Sequence, residues 1–133
     1  MERLIETSLW IDFVRKKSAM ALKAFIEPWI LDADACICEP VAFEVLRHAT
    51  VKERSQIEEQ FSTLPLLQTP ATLWQDAASL GQKCRDKGVN VGSMDLVIAA
   101  LAIHHAAEIV TFDADYARVA EVFGLSVMLL ERP

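Results

Sequence analysis

The chain has 133 residues, 53% of them hydrophobic and 24% charged, which excludes disorder and permits a sizeable core. Its formal charge of −6 argues against a coat protein that grips nucleic acid through phosphate neutralisation alone. A nuclease remains open, since two divalent cations would bring −6 to −2 and place positive charge where phosphate must sit.

The longest apolar run, Leu96 to Ile103, is far short of the roughly 20 residues of a membrane span. Arg3 is followed only by Leu4 and Ile5 before Glu6, so no signal peptide is expected. With a mean hydropathy of +0.25, the apolar surplus is expected in the core and at a protein interface. Cys36, Cys38 and Cys84 are odd in number and lack zinc-like spacing, so free buried thiols in a reducing cytoplasm are expected.

In chain order, Arg3 to Glu6 reads as a strand, after which Thr7 or Ser8 caps a helix to about Arg15. A second helix covers Ser18 to Ile26 and ends near Pro28. Ala35 to Cys38 reads as a strand, and Pro40 opens a helix through Ala49. Helical spacing resumes over Val51 to Phe61 and again over Ala71 to Lys87, where Gly88 stops it. Ser93 caps the apolar helix Asp95 to Ala107. Glu108 to Thr111 is a strand, Ala114 to Phe123 a helix, and Leu125 to Leu130 a last strand.

Short strands, apolar on both faces and alternating with helices, define an α/β three-layer sandwich: a short parallel sheet flanked by helices, in one domain over residues 1–133. In such folds the working crevice lies at the carboxyl ends of the strands. The residues found there are acids: Glu6 after the first strand, and Asp113 and Asp115 after the strand Glu108 to Thr111. Asp95 opens the apolar helix, and Glu44 lies in the helix started by Pro40.

Each acid has an ordinary explanation. Asp95 complements a helix dipole, Asp113 caps the helix at Ala114, and Glu44 pairs with Arg47 and His48 at i+3 and i+4. Jointly they read differently, because carboxylates gathered without bases repel one another unless a cation joins them. All-oxygen ligation suits Mg²⁺ or Mn²⁺, and the chemistry then accessible is phosphodiester hydrolysis.

Four segments carry a family likeness: Leu4-Ile5-Glu6-Thr7-Ser8-Leu9-Trp10-Ile11-Asp12-Phe13, Pro40-Val41-Ala42-Phe43-Glu44-Val45-Leu46, Asp95-Leu96-Val97-Ile98-Ala99-Ala100, and Ile109-Val110-Thr111-Phe112-Asp113-Ala114-Asp115-Tyr116. In this order and spread over nearly the whole chain, they resemble the PIN-domain ribonucleases, and within them the toxin half of bacterial VapBC toxin–antitoxin pairs. The resemblance implies an acidic Mg²⁺ or Mn²⁺ site formed by Glu6, Glu44, Asp95 and Asp113, with Asp115 as a further metal ligand. It implies endoribonuclease activity on an RNA substrate in the cytoplasm, an antitoxin protein that covers the cleft, and a homodimer. Thr7 or Ser8 is the hydroxyl neighbour that supports the first acid.

One position departs from the pattern. The family's first motif begins Asp-Thr, whereas this chain has Glu6-Thr7, a carboxylate displaced by about 1.5 Å of extra covalent length. That change weakens Mg²⁺ coordination, favours Mn²⁺, or marks a catalytically silent member that binds protein or RNA without cutting. Asp113-Ala114-Asp115 also resembles the nucleophile motif of haloacid-dehalogenase-like phosphatases, but it follows a late strand and leads to Ala117. His104-His105, on consecutive helical positions, makes a poor metal pair. Arg15-Lys16-Lys17 reads as a solvated helix end or as an RNA-backbone contact. Trp10, Trp29 and Trp74 are expected in the core or at an interface.

Overall fold

The computed structural model describes all 133 residues. Five strands, β1 (Arg3–Ile5), β2 (Ala35–Cys38), β3 (Leu66–Leu67), β4 (Glu108–Thr111) and β5 (Ser126–Leu129), form one sheet in the order β3-β2-β1-β4-β5. Every pairing is parallel, with Leu4 beside Cys36 on one side and Ile109 on the other. Parallel strands need helical crossovers, and the helices are α1 (Thr7–Val14), α2 (Met20–Ile30), α3 (Glu39–Arg47), α4 (Val51–Phe61), α5 (Leu73–Asp86), α6 (Ser93–His104) and α7 (Asp115–Val122). The expected α/β sandwich is the fold observed.

The core follows from this layering. Leu4, Ile5, Ile109 and Val110 are fully buried in the central strands, and α6 buries Val97 through Ala102 without interruption. A helix apolar on all sides must be enclosed, and α6 packs between α5 and the sheet. Trp10 of α1 is fully buried edge-on to Phe61, whereas Trp74 is exposed. Cys36, Cys38 and Cys84 are buried free thiols, and desolvation pushes the first two up to about 12.

Several element ends differ from expectation. The second helix begins at Met20, not Ser18, and runs through Pro28 to Ile30. Pro28 removes only one late hydrogen bond, while Ile26 and Ile30 are buried and Leu31 N still donates to Glu27 O. β3 has no counterpart among the expected strands; its two residues gain their place by pairing with Ile37 and Cys38. Neither Thr7 nor Ser8 caps α1: the N-cap is Glu6, whose side chain accepts from Ser8 N. Ser93 likewise lies inside α6, whose N-cap is Gly92, and α6 ends at His104 before Ala106 turns left-handed. At the end of α5, Gly88 takes a positive φ of 73°, as its stop signal requires.

Candidate active site

β1 sits at the centre of the sheet, with β2 on one side and β4 on the other. The chain therefore reverses its direction of growth between β1 and β4, and a crevice opens where their carboxyl ends diverge. Glu6 leaves β1 there and Asp113 leaves β4 there. The same crossovers bring α3 and α6, with Glu44 and Asp95, over that end of the sheet.

Glu6 is buried, and one of its oxygens is saturated. Oε1 accepts from Ser8 N at 3.1 Å, from Ser8 Oγ at 2.7 Å and from Thr111 Oγ1. Ser8 and Thr111 are held in turn, since Phe112 N donates to Ser8 Oγ at 3.0 Å and Asp113 N donates to Thr111 Oγ1 at 2.9 Å. This is a closed network linking the end of β1 to the end of β4. Burial raises the Glu6 pKa above the ordinary carboxylate value; the Thr111 and Ser8 bonds oppose it and the charge of Asp95 adds to it.

Asp95, Asp113 and Asp115 form a different arrangement. One carboxylate oxygen from each lies within 4.8 Å of the others, and all three residues are half-buried. Asp113 Oδ1 accepts from Asp115 N at 2.9 Å, but Asp113 is not the cap expected from the sequence: α7 begins at Asp115 and its N-cap is Ala114. Asp115 Oδ1 meets Arg118 Nη1 at 3.2 Å, and Asp95 Oδ1 accepts from Tyr116 Oη at 3.1 Å. The Asp95 pKa is pushed up to about 6, first by burial and then by Asp113, Glu44 and Asp115, against the Tyr116 hydrogen bond. Tyr116 is itself raised, by burial foremost and by the surrounding negative charge.

Of the five acids that the sequence places at the crevice, the fold gathers Asp95, Asp113 and Asp115 into one cluster. Glu6 stands beside it, tied to Asp113 through Thr111, and Glu44 is near enough for its charge to act on Asp95. Glu44 is not paired with Arg47 or His48; Thr7 Oγ1 donates to its Oε1 at 2.6 Å. The two hydroxyls after Glu6 thus divide their work, Ser8 serving Glu6 and Thr7 serving Glu44.

Three positioning side chains are not apparent from the sequence. Thr111 and Tyr116 lie inside the last family-like segment, but nothing local tells that Thr111 faces Glu6 across the sheet or that Tyr116 reaches back to α6. The third, Asp12, is buried and bonded to Arg132 Nε at 2.7 Å, with Arg132 stacked on Phe112 4.6 Å away. That contact fixes the chain end against the residue preceding Asp113.

The donor set fits a hard divalent cation. It is all oxygen, it converges, and it carries more negative charge than its neighbours neutralise. A parallel sheet with carboxylates gathered at its switch point places this acidic group where open α/β folds bind their ligands.

The chain belongs to the PIN domain family, whose profile matches residues 3–122. It is similar to Ribonuclease VapC11 of Mycobacterium tuberculosis and to a VapC ribonuclease of Mycobacterium bovis. Each is 34% identical over 128 residues, covering 92% of this chain and 94% of the relative. Among solved structures it resembles VapBC2 from Rickettsia felis bound to a promoter DNA fragment, with a TM-score of 0.77 at 18% identity, covering 98% of this chain and 100% of that one. It also resembles DNA-bound VapBC from Salmonella typhimurium, with a TM-score of 0.73 at 16% identity, covering 96% and 97%.

Proposed function

We propose that the protein is a metal-dependent endoribonuclease, the toxin of a toxin–antitoxin pair. The observation that carries this reading is the convergence of Asp95, Asp113 and Asp115 at the switch point of a PIN fold. These three hold Mg²⁺ or Mn²⁺. Glu6 contributes through Oε2, the oxygen left outside its network, and Glu44 completes the acidic wall. A divalent cation bound there supplies Lewis acidity toward a phosphodiester and lowers the pKa of water.

The protein's own groups supply position. Ser8 and Thr111 fix Glu6, Thr7 fixes Glu44, and the backbone of Asp115 fixes Asp113. No side-chain nucleophile is required of the chain. The RNA strand needs cations that the overall charge of −6 does not provide, and Arg15, Lys16 and Lys17 offer them without acidic partners within ion-pair distance. They line a groove of about 500 Å³ with His48 and Glu53 over an apolar floor that includes Ile11 and Val45. Ile11 is one helical turn from Thr7, the donor to Glu44.

The partners follow from the apolar surplus. Phe43 and Trp74 are exposed and line a second, mainly apolar groove with Pro40, Leu73, Met94 and Val97. This face suits a second copy of the chain, and the acidic cleft suits a basic residue of an antitoxin. No helix is long and apolar enough to cross a membrane, and the buried free thiols accord with the cytoplasm.

The test is RNA cleavage by the purified protein with Mg²⁺, Mn²⁺ or chelator. Metal-dependent cleavage that chelator abolishes supports the reading; RNA left intact at saturating metal overturns it. The second reading, a silent PIN module, is favoured by the complete capture of Glu6 Oε1 inside the protein. It predicts metal binding and RNA or protein binding with no cutting.

A further inference from the structure

Each acid of the cluster has its own tether. Asp113 accepts from the Asp115 backbone, Asp115 meets Arg118, and Asp95 has one side-chain partner, the phenol of Tyr116. Tyr116 is fully buried, and its ring fills the space beneath the acids as part of the core. It stands on α7, directly after Asp115, yet its hydroxyl reaches Asp95 on α6. The phenol therefore spans the two separate elements that carry the cluster.

Without it, no side-chain hydrogen bond holds the Asp95 carboxylate, which is pressed by the charges of Asp113, Glu44 and Asp115. A phenol facing a carboxylate can only donate. It can thus hold Asp95 among like charges without adding a positive charge that would compete with a cation.

We infer that Tyr116 is a positioning residue for the metal centre: by donating to Asp95 Oδ1 it holds the α6 carboxylate against Asp113 and Asp115 and so sets the affinity for the divalent ion. This rests on the metal site of the proposed function. The hydroxyl acts through Asp95 and needs no contact with RNA.

Two measurements test it. Tyr116→Phe removes one oxygen and keeps the ring, so the core packing is retained. Titration calorimetry with Mn²⁺ should show a dissociation constant raised about ten- to a hundredfold, the usual scale for removing a group that orients a metal ligand. Cleavage by the variant should recover as Mn²⁺ is raised, leaving the maximal rate close to that of the wild type. A dissociation constant within twofold of the wild type overturns the inference. Should the wild type itself bind no Mn²⁺, both this inference and the metal site fall.

The second measurement needs no variant, because Tyr116 is the only tyrosine in the chain. Protein grown with 3-fluorotyrosine carries a single fluorine reporter beside Asp95. Its resonance should move on Mg²⁺ addition, with the same midpoint as Mg²⁺ binding followed by titration calorimetry. If calorimetry shows binding and the fluorine resonance stays still, Tyr116 is core packing alone.

Discussion

Glu6 and the Asp95–Asp113–Asp115 cluster stand at the same sheet edge and are treated oppositely by the fold. Around Glu6 every nearby donor is used: three hydrogen bonds converge on one oxygen, and the residue also caps α1. Around the cluster donors are few, and three carboxylates crowd within 4.8 Å with one arginine at the rim. Three bonds on Oε1 make Glu6 a joint between β1 and β4 and leave only Oε2 outside the network. An under-satisfied group of carboxylates repels itself, and that is the feature on which the proposed cation site rests.

The contrast is broken most severely at Asp95. Asp95→Asn keeps the volume and the Tyr116 contact while deleting the charge, so RNA cleavage should fall by about a hundredfold or more. The circular dichroism spectrum should stay that of the wild type. A variant that cuts normally but melts early would make Asp95 a helix-start residue instead.

At Glu6 stability should suffer first. Glu6→Ala strands Thr111 and Ser8 and removes the cap of α1, which together should cost roughly 2–4 kcal/mol in denaturant unfolding. Glu6→Asp withdraws the carboxylate from Ser8 and Thr111, so both cleavage and metal affinity should drop. A gain in Mg²⁺ affinity would show that the longer side chain had weakened the site. Unchanged affinity and cleavage in both variants would leave Glu6 a joint only.

Protonation sharpens the comparison further. The Asp95 pKa of about 6 lies above its ordinary value, so the folded state binds more protons than the unfolded chain between roughly pH 4 and 6. That contribution makes the metal-free protein more stable as pH falls through 6, and Glu6, also raised, acts in the same direction. Millimolar Mn²⁺ should raise the melting temperature at pH 7 and lose its effect towards pH 4, because the ligands must be deprotonated to bind it. A melting curve with the opposite pH trend without metal would contradict the crowding of these acids.

The smallest effect is expected at the basic groove. Replacing Lys16 and Lys17 by alanine should weaken RNA binding several-fold, with melting unchanged. The slope of affinity against salt should fall by about 0.7 for each phosphate that is no longer neutralised. An unaltered salt slope would place the RNA elsewhere.

Much of the architecture is written locally. Alternation of short apolar runs with helical periods requires a parallel sheet, because those strands are apolar on both faces and must be covered twice. The acids after β1 and β4 can be named from that pattern alone, since the crevice position follows from topology. β3 is invisible in the sequence: two residues carry no period, and Leu66–Leu67 is a strand only because β2 offers it an edge. The helix through Pro28 is hidden for the same reason, its last turn being held by the burial of Ile30 rather than by propensity.

Residue types and chain order determined which carboxylates stand at the mouth of the sheet. Only the tertiary structure decided how they differ. How each acid is held depends on the donors that approach it from distant segments, Thr111 for Glu6, Thr7 for Glu44 and Tyr116 for Asp95. Those partners are separated by up to 105 residues, and hydrogen bonds over such distances obey the packing of the layers, which no local pattern encodes.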